Sequence, residues 1–136
     1  MKTSIYYVIL GCFMFLLIAN CNSTKTINKS TEREEPVVIK NDSLEYEIII
    51  LDIGFNAYLQ SIARPVGYYS QSYLENRNSF LVPVWNARVN DPIRFNPNIY
   101  QNVIDYDANI DYGYDVNYKL FNYFQFAERK YRMVLR

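Results

Sequence analysis

The sequence predicts a small α+β domain, a two-stranded sheet covered by about three helices in the order β-α-α-β-α. Two observations carry most of that prediction. Leu44 to Leu51 alternates as a half-buried strand does, and Tyr112 to Leu135 repeats apolar side chains at helical spacing. A third observation, the scarcity of apolar residues between Asn22 and Ser43, confines the folded part to the residues after Ser43.

The chain opens with Lys2 and an apolar run from Ile5 to Ala19, which ends in Leu17-Ile18-Ala19-Asn20-Cys21. A positive start, an apolar middle of about 15 residues and a boundary cysteine read as a bacterial lipoprotein signal over residues 1–20. Cleavage before Cys21 would leave that cysteine to carry acyl chains and hold the protein to a membrane. A spanning helix needs about 20 apolar residues, more than this run supplies. Asn20 departs from the small residue expected before the cysteine. Gly11-Cys12 has a better preceding residue, but cutting there would leave Phe13 to Ala19 exposed, so Cys21 is the assignment.

Residues 21–43 read as the lipidated cysteine and a disordered tether, rich in Asn, Ser, Thr, Lys and Glu. Such a coil spans roughly 25 Å. Its short Val37-Val38-Ile39 patch admits pairing as an edge strand, but coil is the expectation. Residues 44–136 form the globular domain.

Within that domain Leu44, Tyr46, Ile48 and Ile50 point one way, and Glu45, Glu47, Ile49 and Leu51 the other. Alternation then gives way to a continuous apolar run, which predicts a strand that enters wet and finishes in the core. Asp52 to Gly54 is a turn. Phe55 to Ala63 predicts a short helix with Phe55, Leu59 and Ile62 on one face, broken by Arg64-Pro65-Val66-Gly67. Tyr68 to Val89 predicts a longer helix with Tyr69, Tyr73, Phe80, Val84 and Ala87 in one stripe, flanked by Leu74, Leu81 and Trp85. Pro83 inside it removes a backbone donor, so a kink or two helices in series is expected. Asn90 to Asn98 is a loop. Ile99 to Tyr106 predicts the second strand. The last helix presents Val116, Leu120, Tyr123, Phe124, Ala127, Tyr131 and Val134 on one face, with Asp115, Lys119, Asn122 and Arg129 outside. There is no internal repeat.

An ordered series of short motifs now stands out: Glu45 to Phe55, Ala63-Arg64-Pro65, Tyr68 to Glu75, Trp85-Asn86, Arg94-Phe95 and Asp111-Tyr112-Gly113. On these the chain resembles a family of small lipoproteins of Bacteroidetes-type bacteria, catalogued only as a domain of unknown function. The resemblance covers about Ser43 to Arg136 and implies one domain with an envelope address. It implies no activity. Pro83 is unusual where the family pattern suggests a polar helix former.

Composition excludes several chemistries. The chain has no histidine, the side chain most used for proton transfer near neutral pH and the commonest transition-metal ligand. With Cys12 removed and Cys21 acylated, no thiol remains for a disulfide, a nucleophile or a metal. Removing Lys2 with the signal leaves 13 Lys plus Arg against 14 Asp plus Glu. No basic stripe appears, so nucleic acid is not an expected partner. There is no Gly-rich phosphate loop and no nucleophile elbow. No cofactor is expected. The 14 tyrosines and 8 phenylalanines are read first as core and boundary packing.

Two constellations remain as candidate sites. Asp105, Asp107, Asn109 and Asp111 place four oxygen side chains at alternate positions, as calcium loops do. The Gly and Glu such loops require are replaced by Ile110 and Val116, so a helix cap from Asn109 or Asp111 is the competing reading. Arg64, Tyr68, Tyr69, Gln71, Glu75 and Trp85 combine rings, amide, acid and cation in the mixture a sugar site needs. Against that stands a helix start capped near Ser70 with tyrosines turned inward. Glu75, Asp52 and Asp105 are the acids available for a glycan-hydrolysing pair. The expectation is a lipid-anchored, non-catalytic envelope module on the periplasmic face of the outer membrane, binding an envelope protein or a glycan. A carbohydrate- or peptidoglycan-binding protein or hydrolase is the alternative.

Overall fold

A computed structural model describes residues 35–136, and Cys21 with the signal segment lies outside the described residues. The strand expected at Leu44 to Leu51 is present as β2 (Tyr46–Ile50), and its partner is β1 (Val37–Asn41), directly upstream. The two are antiparallel, with Val37 opposite Ile50, Val38 opposite Ile49 and Ile39 opposite Ile48. Asn41 makes the reversal. Its Oδ1 accepts from the N–H of Ser43 at 3.0 Å and of Leu44 at 3.3 Å, and Glu45 takes a left-handed conformation with φ 52°.

Three helices come next in the chain: α1 (Phe55–Ser61), α2 (Gln71–Val89) and α3 (Gly113–Tyr131). The protein is therefore a small α+β domain with two antiparallel strands and three helices, in the order β-β-α-α-α. Two expectations need correction. The last part of the expected tether, Val37–Asn41, is a strand, so the folded domain begins before residue 44. Ile99 to Tyr106 is not a strand, because its backbone is engaged by α2 side chains. Asn86 donates to Ile104 O and accepts from Ile104 N, both at 2.8 Å, and Trp85 Nε1 donates to Asn102 O at 3.0 Å. A side-chain amide thus takes the place of a neighbouring strand. A hairpin partner just across a tight turn also closes a far shorter loop than one beyond two helices.

Among the described residues only one face of the sheet is covered. Ile39 and Ile50 are buried, while Val38, Lys40, Glu47 and Ile49 face outward. The apolar run at the end of β2 does not finish wholly in the core: Leu51 and Ile53 are 72 % and 75 % exposed. The core is built on α3, whose Val116, Leu120, Tyr123, Phe124 and Ala127 are buried as the periodicity predicts. Val134 is exposed because the helix stops at Tyr131 and Arg132 turns left-handed at φ 50°, which brings Leu135 inside instead.

On α2 the buried stripe is Leu74, Asn78, Leu81, Val82 and Trp85, not the expected Tyr73 and Phe80, which are exposed. The stripe that closes against α3 is the aliphatic one, and the polar Asn78 hides it in the sequence. Ser70 caps α2, accepting from Tyr73 N at 3.2 Å. The helix runs unbroken through Pro83. That ring lies on the exposed side of the helix. Gly54 precedes α1 at φ +97°, a conformation that side chains rarely adopt, which accounts for glycine there.

Candidate functional site

A cleft of about 280 Å³ opens between β2 and the stretch from Asn98 to Ile104. Its floor includes Trp85 and Tyr123, its rim Ile49, Leu51, Ile53 and Val103. One polar cluster sits at its end. Tyr131 Oη donates to both oxygens of Asp52 at 2.9 Å; Lys130 Nζ donates to the same carboxylate and to Ile53 O at 2.8 Å. Burial pulls the Lys130 amine down, but the Asp52 hydrogen bond and charge outweigh it and the net shift is upward. Burial first, and then Asp52, raise the Tyr131 phenol. Burial, and next Asp52, also raise Tyr123. A lysine held charged is a poor nucleophile, and a phenol held neutral is a poor base. The three side chains thus satisfy one another's hydrogen bonds and charge.

The aromatic constellation is brought together only in part. The Arg64 guanidinium lies 5.1 Å over the Tyr68 ring, Tyr68 meets Tyr69 edge-on at 4.8 Å, and Tyr69 stacks on Tyr73 at 4.9 Å. Tyr118 Oη donates to Arg64 O at 2.6 Å and Gly67 N donates to Tyr114 Oη at 2.8 Å, so α3 fixes the loop that carries them. Gln71 turns away from these rings. Its Nε2 donates to Glu75 Oε1 at 2.7 Å and Asp111 Oδ1 at 2.8 Å. Trp85 does not belong to the group at all: it is 2 % exposed, with its N–H spent on Asn102 O. About four turns of helix separate it from the start of α2, where the tyrosines cluster. It lines the floor of the β2 cleft instead.

The acidic run does not converge on a point. Asp107 Oδ1 accepts from the backbone and side chain of Asn109 at 2.9 and 2.8 Å, and Asp111 Oδ1 accepts from Gly113 N at 2.9 Å. Asp111 thus serves the start of α3, and Asp105 lies exposed. Among the described residues no three acid, cysteine or histidine side chains are placed to hold a metal ion. The carboxylates considered for a hydrolytic pair are likewise apart in role, with Asp52 bound to Lys130 and Tyr131, and Glu75 to Gln71.

Between these regions Tyr106 Oη donates to Asn117 Oδ1 at 2.8 Å. Burial, then Glu75 and Tyr112, push its phenol up to about 12. A raised phenol favours the folded state fully below the unfolded value, about 10. That stability is lost as pH climbs from there toward 12. The urea midpoint is expected to hold steady to about pH 9.5 and then fall. Tyr106→Phe should be less stable at neutral pH and show a shallower alkaline loss.

Sequence reasoning missed the cleft. In the sequence Lys130 and Tyr131 are only the end of a helix face, and nothing there ties them to Asp52. Among the described residues no helix is long and apolar enough to cross a membrane. The chain belongs to DUF6146, a family of unknown function whose model matches residues 7–136. No curated protein and no solved structure matches it.

Proposed function

We propose that this member of DUF6146 is a lipid-anchored interaction module of the bacterial cell envelope, held through Cys21 on the periplasmic face of the outer membrane. The observation that carries the anchor is the sequence from Lys2 through the Ile5–Ala19 run to Cys21. Nothing after Cys21 resembles the acidic export tag of some surface lipoproteins, which favours the inner face. What supports binding over catalysis is the cleft at β2. Its Asp52, Lys130 and Tyr131 satisfy one another, and aliphatic side chains of β2 and the residues after it form one of its walls.

Metabolic labelling with a clickable palmitate tests the anchor. The wild type is expected to carry label and sediment with membranes. Cys21→Ala should lose the label and move to the soluble fraction, because each buried CH₂ of an acyl chain contributes roughly 0.8 kcal/mol of membrane affinity. An unmodified, uncleaved amino terminus on the wild type would refute the reading.

Glycan binding has one specific observation in its favour. Tyr68 is 58 % exposed beside the Arg64 guanidinium, and Tyr73, stacked on Tyr69, is 43 % exposed. A glycan array with wild type and Tyr68→Ala decides it: a hit abolished by the substitution supports a sugar platform, and a blank array removes it.

A further inference from the structure

Ile48 to Ile53 line the β2 cleft as an unbroken series. Ile48 to Ile50 belong to β2, where consecutive residues point to opposite faces, so a wall that includes all three is the edge of the strand rather than a face, and Leu51 to Ile53 continue it beyond the strand. The β2 edge pairs with no other strand among the described residues, because the sheet ends at β2, and only beyond it are the carbonyls of Asp52 and Ile53 taken, by Phe55 N and Lys130. It also lacks the usual protection: from Tyr46 to Leu51 there is no Pro and no Lys, and Ile49, Leu51 and Ile53 stand exposed along it. The opposite wall is backbone as well. Among the described residues the N–H groups of Gln101, Asn102 and Val103 find no acceptor, and the carbonyls of Gln101 and Val103 no donor. The charges cancel, since Asp52 and Lys130 are the only charged side chains of the lining and bind each other.

A cleft with unpaired backbone groups on two walls and a neutral lining of aliphatic, aromatic and amide side chains specifies its occupant. An acyl chain would leave both rows of backbone groups unsatisfied, and a charged peptide would find no counter-ion. We propose that the cleft takes an uncharged, extended peptide segment of another protein, which adds to β2 as a third strand and sets an aliphatic side chain over Trp85 and Tyr123. Backbone pairing would supply affinity and the cleft selectivity for that side chain. This deepens the interaction-module reading and rests on it, though not on the acyl anchor.

The test uses the full-length protein in detergent micelles and capped hexapeptides alternating Thr with Val, Ile or Leu. Amide hydrogen exchange of Tyr46–Ile50 and of Gln101 to Val103 is read with and without peptide. At least one peptide is expected to slow exchange of β2 amides by about tenfold or more at saturation. Ile49→Lys and Val103→Lys, both at exposed positions, should weaken binding about tenfold while leaving the melting temperature unchanged. A peptide N-methylated at alternate residues should not bind. Three results overturn the proposal: no peptide protects β2; the N-methylated peptide binds as well as its parent; or β2 becomes protected without peptide as protein concentration rises, which would make a second copy the occupant. Crosslinking from membranes keeps the two readings apart. A specific partner captured equally by wild type and Ile49→Lys sinks this surface but spares the module, and capture of none by either sinks the module.

Discussion

Trp85→Ala is expected to bring the domain to the edge of unfolding. The indole is 2 % exposed and packs on Tyr100 at 4.9 Å, Tyr123 at 5.5 Å and Phe124 at 5.9 Å, so its removal opens a cavity where α2, α3 and the segment after Asn98 meet. Truncating a buried Trp or Phe to Ala typically costs about 3–5 kcal/mol. Asn102 O also loses its donor, adding about 1 kcal/mol. Total stability of a domain this size is only about 5–15 kcal/mol, so a large part of it goes. Trp85→Phe separates the two effects. It keeps most of the ring and is expected to cost about 1–2 kcal/mol, chiefly the hydrogen bond and the smaller ring. Urea titration followed by far-ultraviolet circular dichroism measures both. A cost below about 1 kcal/mol for Trp85→Ala would mean that this ring is not in the core.

The second large effect is expected at Asn117, which has no exposed surface. Its Nδ2 donates to Gly113 O at 2.9 Å, and its Oδ1 accepts from Asn78 Nδ2 at 3.0 Å and from Tyr106 Oη at 2.8 Å. The side chain therefore joins α2, α3 and the loop before α3. Asn117→Ala removes it and leaves the Tyr106 hydroxyl unpaired, while the Asn78 amide keeps only Asn117 O. A buried polar group without its partner costs about 1–3 kcal/mol, so a loss of about 3 kcal/mol is expected. Asn78→Ala should be similar, and the double variant should cost clearly less than the two together, with a coupling of about 1–2 kcal/mol. Additive costs would show that the three side chains do not act as a network.

How much of this was legible in the sequence depends on where the determining contacts lie. β2 and α3 were readable because their own periodicity reports the face they bury. The Ser70 cap was readable too, since it acts within three residues of itself, whereas α3 starts after Tyr112 without a side-chain cap and Asp111 only accepts from Gly113 N beside it. β1 was not, because Val37-Val38-Ile39 beside Pro36 is too short to signal a strand until β2 supplies the other half of the ladder. Ile99 to Tyr106 alternates as a strand does, and only the Asn86 amide, brought over by α2, explains why it is none. On α2 a buried Asn78 masked the true core stripe. The sugar-site residues split for the same reason: Arg64 and Tyr68 are sequence neighbours with a common surface, whereas the direction of Trp85 depends on α3. The β2 cleft was out of reach, since it joins one strand edge to side chains from the far end of the chain, such as Lys130 beside Asp52.

The hub position of α3 has a consequence for the order of assembly. Asn41 reaches Tyr112 O at 3.0 Å, Arg64 O receives the Tyr118 hydroxyl, Gly67 meets Tyr114, and Asp52 is held by Lys130 and Tyr131. A growing chain leaves the ribosome amino end first, so each of these early residues waits for a partner synthesised near the end. Among the described residues no stretch that ends before α3 holds the core, and long-range closure must precede most of the tertiary reward. The described domain thus closes only when its last helix has been made.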